Sequence, residues 1–441
     1  MKIFSKIQSG YKLYKKAKKI ILGGNMLLSK RPEMTLPGKQ WPNYYSSTYK
    51  YFIKDLGNKR YVDMMMFVGH NILGFSNKKI DNFVLKYAKK GNLSSLNCPE
   101  EVILAQKLIK LHPWAGMAKF ARSGGEANAI SIRIARAATN REHVAICGYH
   151  GWHDWYLSVN LKNRNKLSKH LLPGLDPTGV PKKLSGLTHA FEYGNFNQLK
   201  NLIKKYKLAA IKMEVGRGSL PDKIFLKKVR KLATKEKIIL IFDECTSGFR
   251  RTLGGMHMTQ KIYPDICMFG KALGNGYAIS AVIGKKSIMK KAEESFISST
   301  FWGERIGFFA GIKTIEVMQK QKSWIKIIKL GKYINSKWLQ LAKKYKLKIK
   351  ITGIESITSF NFISKNNLKY KTFISQEMLK KGYLASNTIY LSTTHNKKLI
   401  DNYIKNLDVI FYKIKEIELS KKEINFLKND VCHSTFKRLN D

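Results

Sequence analysis

An α/β fold with a mostly parallel central sheet is what this sequence predicts, and three observations predict it. Five short apolar runs have the length and β-branched content of buried strands: HVAICGY (143–149), LAAIKMEV (208–215), IILIFDE (238–244), DICMFG (265–270) and ISAVIG (279–284). Lysine-rich amphipathic stretches of helical period, such as LKKVRKLATKEK, separate them. Strand and helix in alternation give a parallel sheet covered on both faces, and ligand groups then collect at the carboxyl ends of the strands. Glu214, Asp243 and Lys271 fall at that edge.

The elements follow in chain order. At 441 residues the chain exceeds one ordinary domain, so a large core and a second lobe are expected. The first twenty residues, MKIFSKIQSGYKLYKKAKKI, are basic and partly amphipathic and predict a surface-packing helix; they lack the continuous apolar core of a secretory signal. A proline-rich passage follows, SKRPEMTLPGKQWPNYY, and then a hairpin, YKYFIKDLGNKRYVDM, turning near Leu56-Gly57-Asn58. The alternating strands and helices occupy the middle. From about residue 310 the pattern becomes helix, two short strands (KIKITGIES and SITSFNFIS) and helix again. The expected organisation is therefore 1–65 as the N-terminal part of a small lobe, 66–309 as the large domain, and 310–441 as the C-terminal part of the small lobe.

Composition narrows the class of function. The formal charge of +51 comes from 81 Lys and Arg against 30 Asp and Glu, and invites a polyanion-binding reading. Only 13 of the basic residues are Arg, and the Lys are spread along helical stretches instead of gathered into one patch, which favours a solvated surface over nucleic-acid binding. No run of about 18 uncharged apolar residues could span a bilayer. Five scattered cysteines without a C-x-x-C pair point to a reducing, cytoplasmic setting without disulfides.

Four stretches carry chemistry. In FARSGGEANAISIRIARAA (120–138), Ser123-Gly124-Gly125 opens a strongly helical run, a favourable place for a phosphate and equally a plain helix start. In ICGYHGWHDWY (146–156), Tyr149 follows a strand end, where its ring can stack on a planar ligand or simply pack in the core. His150 and His153 sit nearby, but no third ligand completes a metal set, so no metal is expected. Asp243 ends a buried strand. To stay charged there it needs a cationic partner, which a protonated pyridine nitrogen, a helix terminus or a salt bridge would supply. Lys271, framed by FGKALGNG and 28 residues after Asp243, is desolvated by its surroundings, which lowers its pKa and frees its amine to react with an aldehyde.

In their order and spacing these motifs resemble the class III PLP-dependent aminotransferases of fold type I, the group that includes glutamate-1-semialdehyde aminomutase. The resemblance runs from about Tyr11 to the last helix. It implies pyridoxal 5′-phosphate as cofactor, with Lys271 as the lysine that carries it and shuttles a proton, and Asp243 as the partner of its ring nitrogen. By the same resemblance Tyr149 stacks on the ring, Ser123, Gly124 and Gly125 hold the phosphate, and Cys245 and Thr246 lie on the cofactor side. Glu214 shapes the substrate side, and Thr300 in SSTFWGER reaches the phosphate of a neighbouring subunit, which makes a homodimer the expected unit.

The chain also departs from that pattern. Its phosphate motif reads Ser-Gly-Gly where the family has Ser-Gly-Thr, and Cys245 stands where a branched aliphatic residue is common. FWGERIGFFAG replaces a GNPLA-like passage and brings in Glu304 and Arg305, while Lys30 and Arg31 lie near where the mutase has a carboxylate-binding arginine. Arg31, Glu304 and Arg305 are thus candidate substrate residues. The expected activity is transfer of an amino group between an amino donor and a carbonyl acceptor, in sugar or surface-polysaccharide synthesis. The alternatives are the aminomutase itself, or a polyanion-binding protein on the same fold.

Overall fold

The computed structural model describes residues 10–163, 167, 174–216, 218–420 and 426–434. The chain divides into two compact units, one of Met1–Asn77 with Lys326–Asp441 and the other of Lys78–Ile325. Both chain ends share one unit, but the divisions fall about a dozen residues or more beyond the expected 65/66 and 309/310. Residues 66–77 stay with the terminal unit because its backbone holds them: Lys50 and Phe75 exchange hydrogen bonds of 2.9 and 2.7 Å, and the Thr393 amide donates to the Ile72 carbonyl at 2.8 Å. At the other boundary the helix Arg305–Gln321 stays with the central unit, where Phe309 stacks on Tyr87 at 4.8 Å between ring centroids.

In the terminal unit, α1 (Gly10–Ile20) buries Tyr14 and Ala17. The strands β1 (Tyr45–Tyr49), β2 (Phe52–Asp55) and β3 (Arg60–Asp63) form an antiparallel meander, joined in parallel by Tyr383–Leu384. The predicted turn closes β2 on β3. Asp55 Oδ1 accepts the Lys59 amide at 2.9 Å, and Asn58 takes the left-handed conformation (φ 67°), which asparagine tolerates better than most residues. The predicted pair of later strands forms the hairpin Ile349–Ile354 and Ile357–Phe362, extended by Thr388–Tyr390. Its inner face is aromatic, with Phe360 between Trp338 (4.7 Å) and Phe411 (5.6 Å).

The central unit begins with α2 (Lys78–Ala88) and α3 (Pro99–Leu111). Its seven strands are β4 (Met117–Ala121), β5 (His143–Cys147), β6 (Thr188–Ala190), β7 (Leu208–Glu214), β8 (Ile239–Asp243), β9 (Ile266–Phe269) and β10 (Ser280–Gly284). They lie in the order β4-β10-β9-β8-β7-β5-β6. The pairs from β9 to β6 are parallel, as the alternation predicts. ISAVIG departs from that expectation: β10 is antiparallel to both β9 and β4. Only residues 270–279 connect β9 to β10, fewer than a parallel crossover requires.

Three helices of this unit start at side-chain caps. Ser123 and Glu126 form a capping box at α4 (Gly124–Thr139). Asn195 caps α5 (Phe196–Lys205), and Asp222 caps α6 (Lys223–Lys235) by accepting the Ile224 and Phe225 amides at 2.9 and 3.0 Å. Ala127, Ile130 and Ile134 of α4 bury one sheet face together with Val144, Ile146, Ala210, Ile239, Ile241, Met268 and Val282. Each fully buried Ile contributes roughly 1.5–3 kcal/mol. The same face carries Lys212, Glu214 and Asp243, because the register pairs Lys212 with Ile241 and Glu214 with Asp243.

Candidate active site

The carboxyl ends of β5, β7, β8 and β9 bring one group of side chains together. Asp243, the last residue of β8, is 3% exposed. Its Oδ2 meets His150 Nδ1 at 2.8 Å and its Oδ1 accepts the Cys245 amide at 3.0 Å. Burial pushes this carboxyl up, but the His150 hydrogen bond and charge, the Lys212 charge and the Cys245 amide outweigh it and hold Asp243 well below the usual carboxylate range. Asp243 is therefore an anion at neutral pH in an apolar setting, with two of its lone-pair directions engaged by the chain.

Lys271 follows β9 in the left-handed region (φ 40°), a conformation that costs a lysine energy and aims its half-buried side chain. Its Nζ donates to Thr246 Oγ1 at 2.7 Å. Between these groups lies Cys245: a Cβ placed on Gly124 would come within 3.4 Å of its Sγ, and one on Gly270 within 3.5 Å. Burial raises this thiol well above its ordinary value, so it is a neutral, apolar filler. Glu214 accepts the Tyr149 amide at 3.1 Å. Gly148 takes φ 115° directly against that carboxylate, where a Cβ would lie 2.7 Å from Oε2, so only glycine fits the turn that delivers the half-buried Tyr149.

The helix start forms the remaining wall. Ser123 Oγ accepts the Glu126 amide at 3.3 Å, and Glu126 Oε2 accepts the Ser123 and Arg122 amides at 2.7 and 3.0 Å. The amides of Gly124 and Gly125, the first two of α4, have no acceptor within their own helix, which makes this end a donor site for an anion. Ser280 Oγ donates to the Ser123 carbonyl at 2.9 Å and ties the cradle to β10.

The candidates from SSTFWGER fare differently. Thr300 is exposed, at the start of the short turn Thr300–Gly303. Glu304 lies 3.7 Å from Arg122, and Arg305 forks onto Glu100, with Nε to Oε2 at 3.0 Å and Nη2 to Oε1 at 2.8 Å. Both charges are thus paired inside the chain. Arg31 belongs to the terminal unit, where its Nε donates to the Gly23 carbonyl at 3.1 Å.

Sequence reasoning missed three residues of this region. His150 was weighed only as a metal ligand, yet it is fully buried and holds Asp243. Arg122 donates to the carbonyls of Phe301, Trp302 and Glu304 at 2.7, 2.7 and 2.6 Å, and so fastens the Thr300 turn to the residue preceding the α4 cap. Lys212, in the middle of an all-buried strand, stands beneath Asp243; its signal was a lysine inside an otherwise apolar run. On the opposite sheet face, Glu244, His257 and Cys267 lie close enough to suggest a metal set. There His257 Nδ1 meets Glu244 Oε1 at 2.6 Å and its Nε2 accepts the Trp114 indole at 2.9 Å, so both ring nitrogens are committed to hydrogen bonds.

The sequence profile of the class-III aminotransferases matches residues 38–439. This chain belongs to the class-III aminotransferases. A class-III aminotransferase is a PLP-dependent transaminase or aminomutase, and pyridoxal phosphate is its cofactor. Among curated relatives, the chain is 31% identical to the 3-aminobutyryl-CoA aminotransferase of Cloacimonas acidaminovorans over 79% of this chain and 82% of that protein. It is 30% identical to the glutamate-1-semialdehyde 2,1-aminomutase of Wigglesworthia glossinidia brevipalpis over 91% and 97%. The fold matches that of the Sphingopyxis sp. MTA144 FumI protein, solved in its PLP internal aldimine form, with a TM-score of 0.84 at 20% identity over 93% of this chain and 97% of that one. It also matches an omega-transaminase from Sphaerobacter thermophilus, with a TM-score of 0.81 at 19% identity over 94% and 100%. The donor set of this class-III aminotransferase fits its cofactor: an amine for the aldehyde, an anionic carboxylate for the ring nitrogen, an aromatic ring for stacking and two helix-start amides for the phosphate.

Proposed function

We propose that this enzyme transfers an amino group from an amino donor to a separate carbonyl acceptor, with Lys271 and Asp243 as the residues that carry the chemistry. The observation that supports this most is the convergence of the Lys271–Thr246 and Asp243–His150 pairs and the α4 start on one sheet edge. When bound, pyridoxal phosphate supplies an aldehyde that condenses with amines and a ring that withdraws electrons from the bond being broken.

The chain's own groups do the rest. Asp243 holds the ring nitrogen in its protonated form, and His150 fixes the carboxylate that does so. Tyr149 covers one face of the ring, while Glu214 fixes the backbone from which Tyr149 projects. Gly124 and Gly125 donate to the phosphate, and Ser123 shapes the helix start. With the cofactor held there, Lys271 Nζ would be the amine that moves a proton between the donor α-carbon and the cofactor side. Thr246 orients that amine between the two transfers. With a carbonyl acceptor the proton moves in the reverse direction. The active unit in this reading is a homodimer in which the exposed Thr300 serves the phosphate held by the partner subunit.

A two-substrate transaminase is favoured over a mutase because the segment after Thr300 is spent on Arg122 and Glu100 contacts and does not reproduce the mutase passage. A sugar or surface-polysaccharide precursor is the acceptor class this reading favours. The test is the visible absorption spectrum with pyridoxal phosphate, before and after L-glutamate, with Lys271→Ala alongside. A lysine-linked cofactor band that glutamate bleaches, and that an added 2-oxo acid restores in wild type alone, is expected. Absence of that band at excess cofactor would overturn the assignment of Lys271.

A further inference from the structure

A lysine in the centre of a sheet requires an explanation. All seven residues of β7 are buried, and Lys212 is 0% exposed. Its Nζ donates to Ser131 Oγ on α4 at 2.9 Å and lies 2.9 Å from Met268 Sδ on β9. One neutral hydroxyl and a thioether compensate an ammonium poorly, and an uncompensated buried cation is costly. The compensation comes from the next strand. Lys212 pairs with Ile241 and Glu214 with Asp243, so Asp243 is the diagonal neighbour of Lys212 on the same sheet face. The other ionisable groups on that side are already engaged: Glu214 accepts the Tyr149 amide and His150 bonds Asp243. Burial lowers Lys212 to about 8, and the Asp243 charge acts against that fall.

We propose that Lys212 is a positioning residue for amino transfer: its buried ammonium shares the Asp243 carboxylate with the cofactor's ring nitrogen and so sets how firmly that nitrogen keeps its proton. The inference rests on the reading that Asp243 faces the ring nitrogen. With a single anion between two cations, each cation weakens the other's hold on its proton. Two unit charges roughly 8 Å apart at an effective dielectric near 20 shift each other's protonation by roughly 1.5 pH units. Lys212 therefore keeps the ring nitrogen less basic than Asp243 and His150 alone would make it, without touching the cofactor.

The test is a pH titration of the ring-nitrogen NMR resonance of the holoenzyme loaded with nitrogen-15-labelled pyridoxal phosphate, which reports that nitrogen's protonation independently of turnover. Lys212→Met fits the core volume and removes the charge; its ring-nitrogen midpoint is expected to rise by about one pH unit. Ser131→Ala, a mild change on a helix, removes the ammonium's hydroxyl partner and is expected to move the midpoint the same way by a smaller amount; it decides the matter if Lys212→Met does not fold. A folded Lys212→Met, or failing that Ser131→Ala, with an unchanged midpoint overturns the proposal. Asp243→Asn separates the two readings. If it leaves the midpoint and cofactor affinity unchanged, the assignment of Asp243 is wrong; if it alters them while Lys212→Met does not, only the role of Lys212 fails. Adding Lys212→Met to Asp243→Asn is expected to produce little further shift, because without the Asp243 anion the buried Lys212 gives up its proton and has no charge left to remove.

Discussion

Arg122→Met removes the guanidinium that fastens the Thr300 turn and keeps much of the side chain's apolar stem. Three short bonds are lost, to the carbonyls of Phe301, Trp302 and Glu304, along with a 3.4 Å contact to Ala278. Hydrogen bonds to a charged group contribute about 1.5–3 kcal/mol each, so three at the low end give roughly 4.5 kcal/mol. The turn is partly exposed, and its carbonyls regain water once the arginine is gone, which brings the expected net loss to about 2–3 kcal/mol. The carboxylate of Glu304, 3.7 Å away, adds little: a double-mutant cycle of Arg122→Met with Glu304→Gln should give a coupling below about 1 kcal/mol. Urea unfolding measures the loss, and hydrogen exchange at the Trp302 and Glu304 amides, which donate to Ser299 and Phe301, localises it. A loss under about 1 kcal/mol, or unchanged exchange at those two amides, would refute the clamp. Arg122→Lys should recover only a minor part, because one ammonium cannot span three carbonyls in fork geometry.

Three further outcomes are expected. Arg305→Ala should lower stability by about 1–2 kcal/mol while leaving the donor KM unchanged, because its guanidinium is spent on a bidentate, partly exposed pair with Glu100; a raised KM with unchanged stability would return Arg305 to the substrate site. His112 is held neutral by burial, down to about 4 from an ordinary 6.5, so its contribution is complete above pH 6.5 and is lost as pH falls toward 4, about 3 kcal/mol in all; His112→Gln should flatten the acid limb of urea-unfolding stability, and an unaltered slope would contradict this. Gly148→Ala should weaken cofactor binding at least tenfold, as a fluorescence titration would show, since its Cβ meets the Glu214 carboxylate that fixes Tyr149; wild-type affinity would mean the turn tolerates a side chain.

The strands of the central sheet were legible because doubly covered strands read as continuous apolar runs, and Asp243 was legible because a carboxylate ending such a run demands a partner. The direction of β10 was written only in the short span 270–279, not in its composition. The strands β4 and β6 escaped notice for a different reason: MAKFA contains a lysine and THA is three residues long. The roles of His150, Arg122 and Arg305 could not be read at all from local pattern. Each depends on a partner far along the chain, such as Asp243 for His150 and Glu100 for Arg305, and only the assembled sheet edge sets those distances. Lys212 was visible but camouflaged, one of 81 basic residues in a chain whose surface is covered with them.

That camouflage hides a dependence between two buried charges which a stability measurement can expose. If Asp243 is the counter-ion of Lys212, then Asp243→Asn does more than unsettle the cofactor: it leaves a buried ammonium facing only Ser131 Oγ and Met268 Sδ. Breaking a buried pair from one side costs about 3–5 kcal/mol, whereas removing both partners is often neutral. Lysine limits the damage by giving up its proton, so about 3 kcal/mol is the expected loss for Asp243→Asn in the cofactor-free protein near pH 7. Adding Lys212→Met should restore most of it, making the double variant more stable than the single one although it carries more changes. Urea unfolding of the cofactor-free proteins reads this directly. A double variant no more stable than Asp243→Asn would mean that Lys212 draws its compensation from elsewhere, and the shared-carboxylate account of the ring nitrogen would fall with it.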